Sequence, residues 1–253
     1  MSEQTFFNIL LVSYFVLAAV IFITLFFIVA PYGRHFRRQW GPQIGDRLGW
    51  IIMEAPSPIL FAAFFVLGIK LVSVTAVAFL ILWEAHYVHR AFIYPFSRRA
   101  GASGMPVAVV NMGFLFNIGN AYLNGRYLFT LSGGYDNAWL ITPQFIIGAA
   151  LFIAGFFINR WADDSLQNLR RPGESGYKIP VGGLYRWISC PNYFGEMLTW
   201  VGWAVATWSL PGLAFAVFTV ANLAPRARAH HLWYKRQFAD YPPQRKALLP
   251  AVW

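Results

Sequence analysis

Long apolar runs separated by short polar segments dominate the chain. A helix needs about 20 mostly apolar residues to cross the hydrocarbon core of a membrane. Seven runs approach or exceed that length, and a tight turn at Ser209, Leu210 and Pro211 separates the last two, which are short. We therefore predict seven transmembrane helices. They cover residues 6–30, 51–69, 71–87, 105–123, 141–161, 193–208 and 210–224.

Composition supports the same fold class, an all-α polytopic membrane protein. Of 253 residues, 58% are hydrophobic and 12% are charged, whereas about 25% of the residues of a soluble domain are charged. A soluble protein of this length needs more polar residues to cover its surface. We interpret the chain as a single membrane domain, 1–253, with cytoplasmic loops 33–50, 90–104 and 160–190 and a cytoplasmic tail, 225–253.

Basic residues lie almost entirely on one side of the predicted spans. All but two of the 20 lysines and arginines follow the first, third, fifth or seventh run, and the exceptions are Lys70 and Arg126. Because basic residues concentrate in cytoplasmic loops, we expect the amino terminus outside, in the periplasm or lumen, and the carboxyl terminus in the cytoplasm. No basic segment precedes the first run and no cleavage pattern follows it, so we interpret it as a span and not as a signal peptide.

The net charge of +10 does not indicate nucleic acid, because the bases rim a membrane domain without a nucleic-acid-binding pattern. Anionic lipid headgroups explain part of the charge, and an anionic cofactor explains the rest. We expect no metal, since His230 and His231 are adjacent, point apart on a helix, and have no ligand partner at the usual spacing. Cys190 is the only cysteine, so no internal disulfide exists. No Rossmann or P-loop pattern is present.

Ionisable residues inside or beside apolar runs indicate where chemistry takes place, because they are costly in lipid. Glu54 stands in WIIMEAPSPILF; an interfacial carboxylate at a helix end is the alternative. The segment WEAHYVHRAFIYPF places Glu84, His86, Tyr87 and Arg90 at helical spacings, so part of this group faces the interior. Interfacial tyrosine and histidine are the alternative there.

Two further segments carry polar residues at helical spacing. Asn159 and Asp163 lie one turn apart, while Arg226, His230 and Tyr234 form one stripe at four-residue intervals. A solvated helix end explains either pattern without any function.

Two long stretches near the carboxyl terminus resemble the steroid 5α-reductase family: NYFGEMLTWVGWAVATWSLPGLAF and RARAHHLWYKRQFADYPPQRKALLP. The resemblance covers about residue 159 to the end, and EAHYVHRAFIYPF and MEAPS extend it upstream. It implies a seven-helix oxidoreductase that binds NADPH from the cytoplasmic side. It also implies hydride transfer to carbon 5, which reduces the 4,5 double bond of a 3-oxo-4-ene steroid to the 5α-dihydrosteroid. We expect a bacterial-type member of the family.

Carried over position by position, the resemblance implies that Glu54 and Tyr87 are the catalytic pair that hydrogen-bonds the substrate's 3-oxo group. Trp200 matches an aromatic residue that lines the steroid pocket. Met53 stands where the family has glutamine, and Lys178 stands where the steroid enzymes often carry arginine, so a bidentate phosphate contact is absent there. The implied cofactor contacts are Asn159, Asp163, Arg170, Tyr177, Lys178, Asn192, Glu196, Arg226, His230 and Tyr234.

Three other functions fit parts of this pattern. A reductase of another lipid, such as an enoyl thioester or a polyprenal, shares several of the motifs. A membrane methyltransferase shares the carboxyl-terminal pattern and would bind S-adenosylmethionine instead of NADPH. A non-enzymatic lipid-binding or transport protein would leave the clustered polar residues without a purpose. In every case the expected partners are membrane lipids and a steroid or other lipid entering from the bilayer, and a monomer is compatible with the sequence.

Overall fold

The computed structural model describes residues 1–28, 41–68, 73–97, 104–169, 174 and 176–250. Within these ranges the regular secondary structure is helical, apart from one antiparallel pair of two-residue strands, β1 (Gln43–Ile44) and β2 (Met105–Pro106), and one isolated bridge. The α-helices are α1 (Glu3–Phe27), α2 (Asp46–Glu54), α3 (Pro56–Gly68), α4 (Val74–Val88), α5 (Tyr94–Ser97), α6 (Val107–Arg126), α7 (Pro143–Asn168), α8 (Pro191–Thr207) and α9 (Leu210–Gln237).

Seven helical spans are confirmed in the described part of the chain. α2 and α3 together form the second span, and four of the spans meet a strict test of length and hydropathy: 3–27, 46–68, 143–168 and 210–237. α7 and α9 continue well past the apolar runs that predicted them, to Asn168 and Gln237. The polar residues at 159–168 and 226–237 therefore lie on continuous helices. The chain is a multi-pass membrane protein.

Caps and prolines explain where several helices begin. The side chain of Ser73 accepts a hydrogen bond from Ala76 N at 3.0 Å and starts α4. Thr142 and Ser209 accept in the same way at the starts of α7 and α9, where a proline occupies the first turn. Proline is tolerated there because the first N–H groups of a helix have no intrahelical partner.

Glycines allow α7 and α8 to approach very closely. A Cβ on Gly195 would clash with the backbone nitrogen of Asn159, and a Cβ on Gly202 would clash with that of Phe152. Small residues allow such close approach between membrane helices, whose association depends on van der Waals packing. The contact brings the polar ends of α7 and α8 together.

An aromatic core lies between α3, α4 and α8. Phe61 stacks on Trp83 with ring centroids 4.4 Å apart, and Trp203 and Phe79 pack against them. All four side chains are fully buried. On the outside, apolar side chains such as Val12 are exposed, as expected for lipid-facing positions.

Gly195→Ala is expected to destabilise the bundle, because the added methyl group must push α7 and α8 apart. Overpacking of this kind costs about 1–3 kcal/mol, measurable as a lower unfolding temperature of the purified protein in detergent. The matched control is Gly45→Ala, where a Cβ has nothing within 4 Å. Equal unfolding temperatures for the two variants would show that the contact is not tight.

Candidate active site

Glu54 is the last residue of α2, and its carboxyl group lies inside the bundle, 9% exposed. Asn117 of α6 donates from Nδ2 to Oε2 at 3.3 Å. The guanidinium of Arg90, which follows α4, has its Nε 3.7 Å from Oε1. Three spans therefore meet at this carboxyl group, which is buried within the bundle.

Tyr87 lies on α4 and is 3% exposed. Its ring packs against Trp83 and Trp200, with centroids 4.9 and 5.4 Å away. Its hydroxyl accepts a hydrogen bond from Asn120 Nδ2 at 3.5 Å. Since Asn117 and Asn120 are one turn apart on α6, a single helix face holds the two implied catalytic side chains near each other.

A row of buried asparagines on α6 thus forms one wall of the site. Asn124, one turn beyond Asn120, donates to the Oδ1 of Asn120 at 3.0 Å and accepts from Trp203 Nε1 at 2.9 Å. The sequence analysis did not single out these asparagines. Their spacing, 117, 120 and 124 within an apolar run, is a signal that could have identified them, because buried amides in a membrane need partners.

Arg90 connects the carboxyl group of Glu54 to α7. It lies in a π-helical turn, His89–Ile93, that directly follows α4. Its guanidinium covers the ring of Trp50, 4.7 Å from the centroid, and its Nη1 lies 3.9 Å from Asp163 Oδ2. A π-turn changes the direction of the side chains that follow it, and here the turn contains the residue that joins the two acidic groups.

The close contact of α7 and α8 joins three of the implied cofactor residues. Asn192 donates from Nδ2 to Asp163 Oδ1 at 3.0 Å, and Asn159 donates to the backbone oxygen of Asn192 at 2.9 Å. The structure therefore brings together Asn159, Asp163 and Asn192, as the resemblance implies.

Glu196, a fourth implied cofactor residue, lies on α8 one turn before Trp200. Its Oε1 accepts from Trp200 Nε1 at 2.8 Å and lies 3.3 Å from His86 Nε2. Its Oε2 and the Nδ1 of His86 are both buried with no hydrogen-bond partner in the described part of the chain. Buried polar atoms without partners are rare in proteins, so these two are candidates for contact with a polar ligand.

Arg226 and His230 of α9 meet at the hydroxyl group of Tyr193. Tyr193 Oη lies 3.0 Å from His230 Nε2 and accepts from Arg226 Nη2 at 3.1 Å. Tyr193 was absent from the implied set, although it directly follows Asn192 in the matching motif. It links α8 to the polar stripe on α9.

The remaining implied residues lie at other positions. Tyr234 stacks on Tyr241 with centroids 5.3 Å apart, and Tyr177 packs edge-on against Trp233 at 4.9 Å. Lys178 forms an exposed ion pair with Glu174. Arg170 lies outside the described residues, as do parts of the loops predicted at 33–50, 90–104 and 160–190.

Arg245 is a buried cation that the sequence analysis did not identify. It is 4% exposed, its guanidinium lies over the ring of Tyr241, and its Nε and Nη1 have no hydrogen-bond partner in the described part of the chain. The neighbouring tail is anchored to the start of α8, because Ser189 N donates to Lys246 O at 2.9 Å. Buried guanidinium nitrogens without partners are costly, so this position is a candidate for contact with an anionic ligand.

Comparison with known proteins gives consistent relatives. A family model described as 3-oxo-5-alpha-steroid 4-dehydrogenase matches residues 103–253. The steroid 5-alpha-reductase DET2 of Gossypium hirsutum is 41% identical over 100% of this chain and 99% of its own length. The 3-oxo-5-alpha-steroid 4-dehydrogenase 1 of Homo sapiens is 40% identical over 87% of this chain and 85% of its own.

These relatives come from a plant and a mammal, so they give no support to the expectation of a bacterial-type member. Their identity and coverage, together with a family model that matches more than half of the chain, leave no ambiguity about the family. The chain belongs to the steroid 5α-reductase, or 3-oxo-5-alpha-steroid 4-dehydrogenase, family.

Proposed function

We propose that this protein is an NADPH-dependent oxidoreductase that reduces the 4,5 double bond of 3-oxo-4-ene steroids to 5α-dihydrosteroids, with Glu54 and Tyr87 acting on the 3-oxo group. Membership of the family supports the reaction. The observation that carries the residue assignment is that a carboxyl and a phenol group are held by successive turns of α6 inside an apolar bundle.

The aromatic side chains around Tyr87 suit a flat apolar substrate. Trp200 packs edge-on against Trp83, and its ring centroid lies 4.1 Å from that of Phe215 of α9. Aromatic side chains of this size supply most of the contact area of apolar pockets. A steroid dissolves in the bilayer, so it reaches a pocket within the spans without crossing water.

Tyr87 and Glu54 supply hydrogen-bond donors to the 3-oxo oxygen. Because Asn120 donates to the Tyr87 oxygen, the phenolic proton is free to point at the substrate. A protonated Glu54 carboxyl group donates a second hydrogen bond to the same oxygen. Negative charge builds on that oxygen as the conjugated double bond is reduced, so both donors bind the transition state more tightly than the substrate and lower the barrier.

The side chains near the polar ends of α7, α8 and α9 fit NADPH. The unpartnered Oε2 of Glu196 can accept from a ribose hydroxyl or a carboxamide, and Arg226 and Arg245 can bind phosphate. Asn159, Asp163, Asn192, His230 and Tyr234 would complete the binding surface together with the residues that the resemblance adds, Arg170, Tyr177 and Lys178. When bound, NADPH supplies the hydride that reduces the double bond.

The orientation follows from the same assignment. The cofactor is cytoplasmic, so the polar ends of α7, α8 and α9 face the cytoplasm, and the amino terminus of α1 lies on the other side, in the periplasm or lumen. The loops 33–50, 90–104 and 160–190 and the tail 225–253 then lie on the cytoplasmic side, in agreement with the basic residues that they carry.

Single cysteines test this orientation. In a Cys190→Ala background, which removes the only cysteine, Ser2→Cys is expected to react with a membrane-impermeant maleimide from outside intact cells or from the lumen of vesicles. Lys235→Cys, which is exposed at the end of α9, is expected to react only from the cytoplasmic side. The reverse pattern would invert the proposed topology.

Glu54→Gln and Tyr87→Phe test the catalytic assignment. Each change removes an acidic donor to the 3-oxo oxygen, so we expect kcat for progesterone or testosterone to fall by about 10²–10³-fold, as for the loss of an oxyanion donor. The rate of NADPH oxidation gives kcat, and mass spectrometry identifies the 5α product. The matched control is Glu84→Gln on α4, a carboxyl group one turn before Tyr87, with wild-type kcat expected.

Full activity of both variants would remove Glu54 and Tyr87 from the mechanism. Tight NADPH binding by the wild-type protein without steroid turnover would indicate a reductase of another lipid. Binding of S-adenosylmethionine with no binding of NADPH would support the methyltransferase alternative.

Arg226→Met and Arg245→Met test the cofactor assignment. Loss of a charge-assisted phosphate contact costs about 1.5–3 kcal/mol, so each change is expected to raise the Kd for NADPH about ten- to one-hundred-fold at constant salt. The control is Arg228→Met. Arg228 lies on α9, as Arg226 does, but its side chain is exposed, so we expect its replacement to leave the NADPH affinity unchanged. Unchanged NADPH affinity in both test variants would place the phosphates elsewhere.

A further inference from the structure

In the described part of the chain, the carboxyl group of Glu54 has one side-chain hydrogen bond, from the amide of Asn117, and one ion pair, with Arg90. Asn117 lies in the middle of α6 and is almost fully buried. Its Nδ2 donates to Met53 O at 2.8 Å and to Glu54 Oε2 at 3.3 Å. A backbone oxygen only accepts hydrogen bonds, so the atom that faces it must be the NH₂ group of the amide. The two protons of that group account for the two contacts.

This pair of contacts fixes both the backbone and the side chain at the end of α2. Met53 lies in the last turn of the helix, where backbone oxygens lack intrahelical donors. Asn117 donates both to that oxygen and to the carboxyl group of Glu54. The two contacts fix the position of Glu54 relative to the helix axis of α6. Asn120, one turn further along α6, holds the hydroxyl of Tyr87, so α6 sets the distance between the two groups.

The side chain of Met53 cannot replace this donor. Its thioether is a weak acceptor and donates nothing. It packs instead against Gly113, four residues before Asn117, where an added Cβ would overlap Met53 Cγ. Gly113 makes room for an apolar side chain at position 53, and the polar contact to Glu54 comes from the next turn of α6. The donor that a glutamine at position 53 would offer is therefore supplied from another helix.

The contact also assigns the two oxygens of the carboxyl group. Asn117 makes Oε2 an acceptor, so the proton of a protonated Glu54 lies on Oε1. The nearest basic atom to Oε1 is Arg90 Nε at 3.7 Å, which is longer than a hydrogen bond. Oε1 is thus the oxygen that is left to donate.

We propose that Asn117 is a positioning residue for the reaction: it holds Glu54 so that its Oε1 proton points at the substrate's oxygen, in place of a polar side chain at position 53. The proposal rests on the role proposed for Glu54. Asn117 touches neither substrate nor cofactor, and it acts through the orientation of that carboxyl group.

The experiment compares Asn117→Ala with Asn117→Ala combined with Met53→Gln in the purified full-length enzyme. For Asn117→Ala we expect kcat to fall about ten- to one-hundred-fold, because a misplaced catalytic group costs that much. KM for the steroid and Kd for NADPH are expected to stay within about two-fold, since neither contact depends on Asn117. Adding Met53→Gln restores an amide beside Glu54, and we expect it to recover about ten-fold in kcat.

Asn137→Ala is the matched control, because Asn137 also makes one hydrogen bond to the backbone of a membrane helix, at Val74 N, 2.8 Å. It is expected to affect the unfolding temperature and leave kcat unchanged. If Asn117→Ala does not fold, Asn117→Leu carries the test. Leucine has about the same size and offers no hydrogen-bond donor, so the same loss of kcat with normal NADPH binding is expected.

Wild-type kcat in Asn117→Ala or Asn117→Leu, with Glu54→Gln inactive, would overturn this proposal and leave the proposed function intact. A second outcome would also overturn the proposal: a loss of kcat that Met53→Gln does not recover, together with an equal loss of NADPH affinity. That result would show that Asn117 has a general structural role. Full activity of Glu54→Gln would overturn the role of Glu54 itself, and the positioning role with it.

Discussion

The absence of water in the membrane interior is the constraint on which this structure depends. A polar group in hydrocarbon must find its partner within the protein. Each polar side chain of the site accordingly contacts the next: Glu54 contacts Arg90, Arg90 contacts Asp163, and Asp163 accepts from Asn192. These contacts join four spans, so the chemistry of the site and the arrangement of the helices are specified by the same interactions.

Short side chains make this arrangement possible only if the helices are close together. Asn159 and Asn192 have two-carbon side chains, and they can reach across α7 and α8 because Gly155 and Gly195 bring the two backbones into contact. Larger residues would separate the helices and leave the amides unpaired. The glycines and the asparagines therefore depend on each other, although they contribute different kinds of interaction, one of packing and one of hydrogen bonding.

The sequence predicted the spans well because length and hydropathy are local properties, and it predicted family residues such as Asn192 through their position in a long motif. It did not predict the contact between Glu54 and Asn117, which are 63 positions apart. Periodicity gives the face on which a residue lies, but not which other helix that face meets. Hydropathy alone did not give the extensions of α7 and α9, because it falls at the first polar residues, whereas a helix continues where backbone and packing allow. The helical spacing of the polar residues beyond each apolar run did indicate these extensions.

The absence of water in the membrane interior also explains why the unpartnered buried groups are candidates for ligand contacts. The Oε2 of Glu196, the Nδ1 of His86 and two nitrogens of Arg245 are buried and unpaired in the described part of the chain, which is costly for each group. A ligand that supplies the missing partners gains affinity from groups that are already desolvated and held in place, so little ordering cost remains on binding. The acceptor of Glu196 and the cation of Arg245 require opposite partners, a donor and an anion, and the proposed cofactor, NADPH, carries both kinds of group.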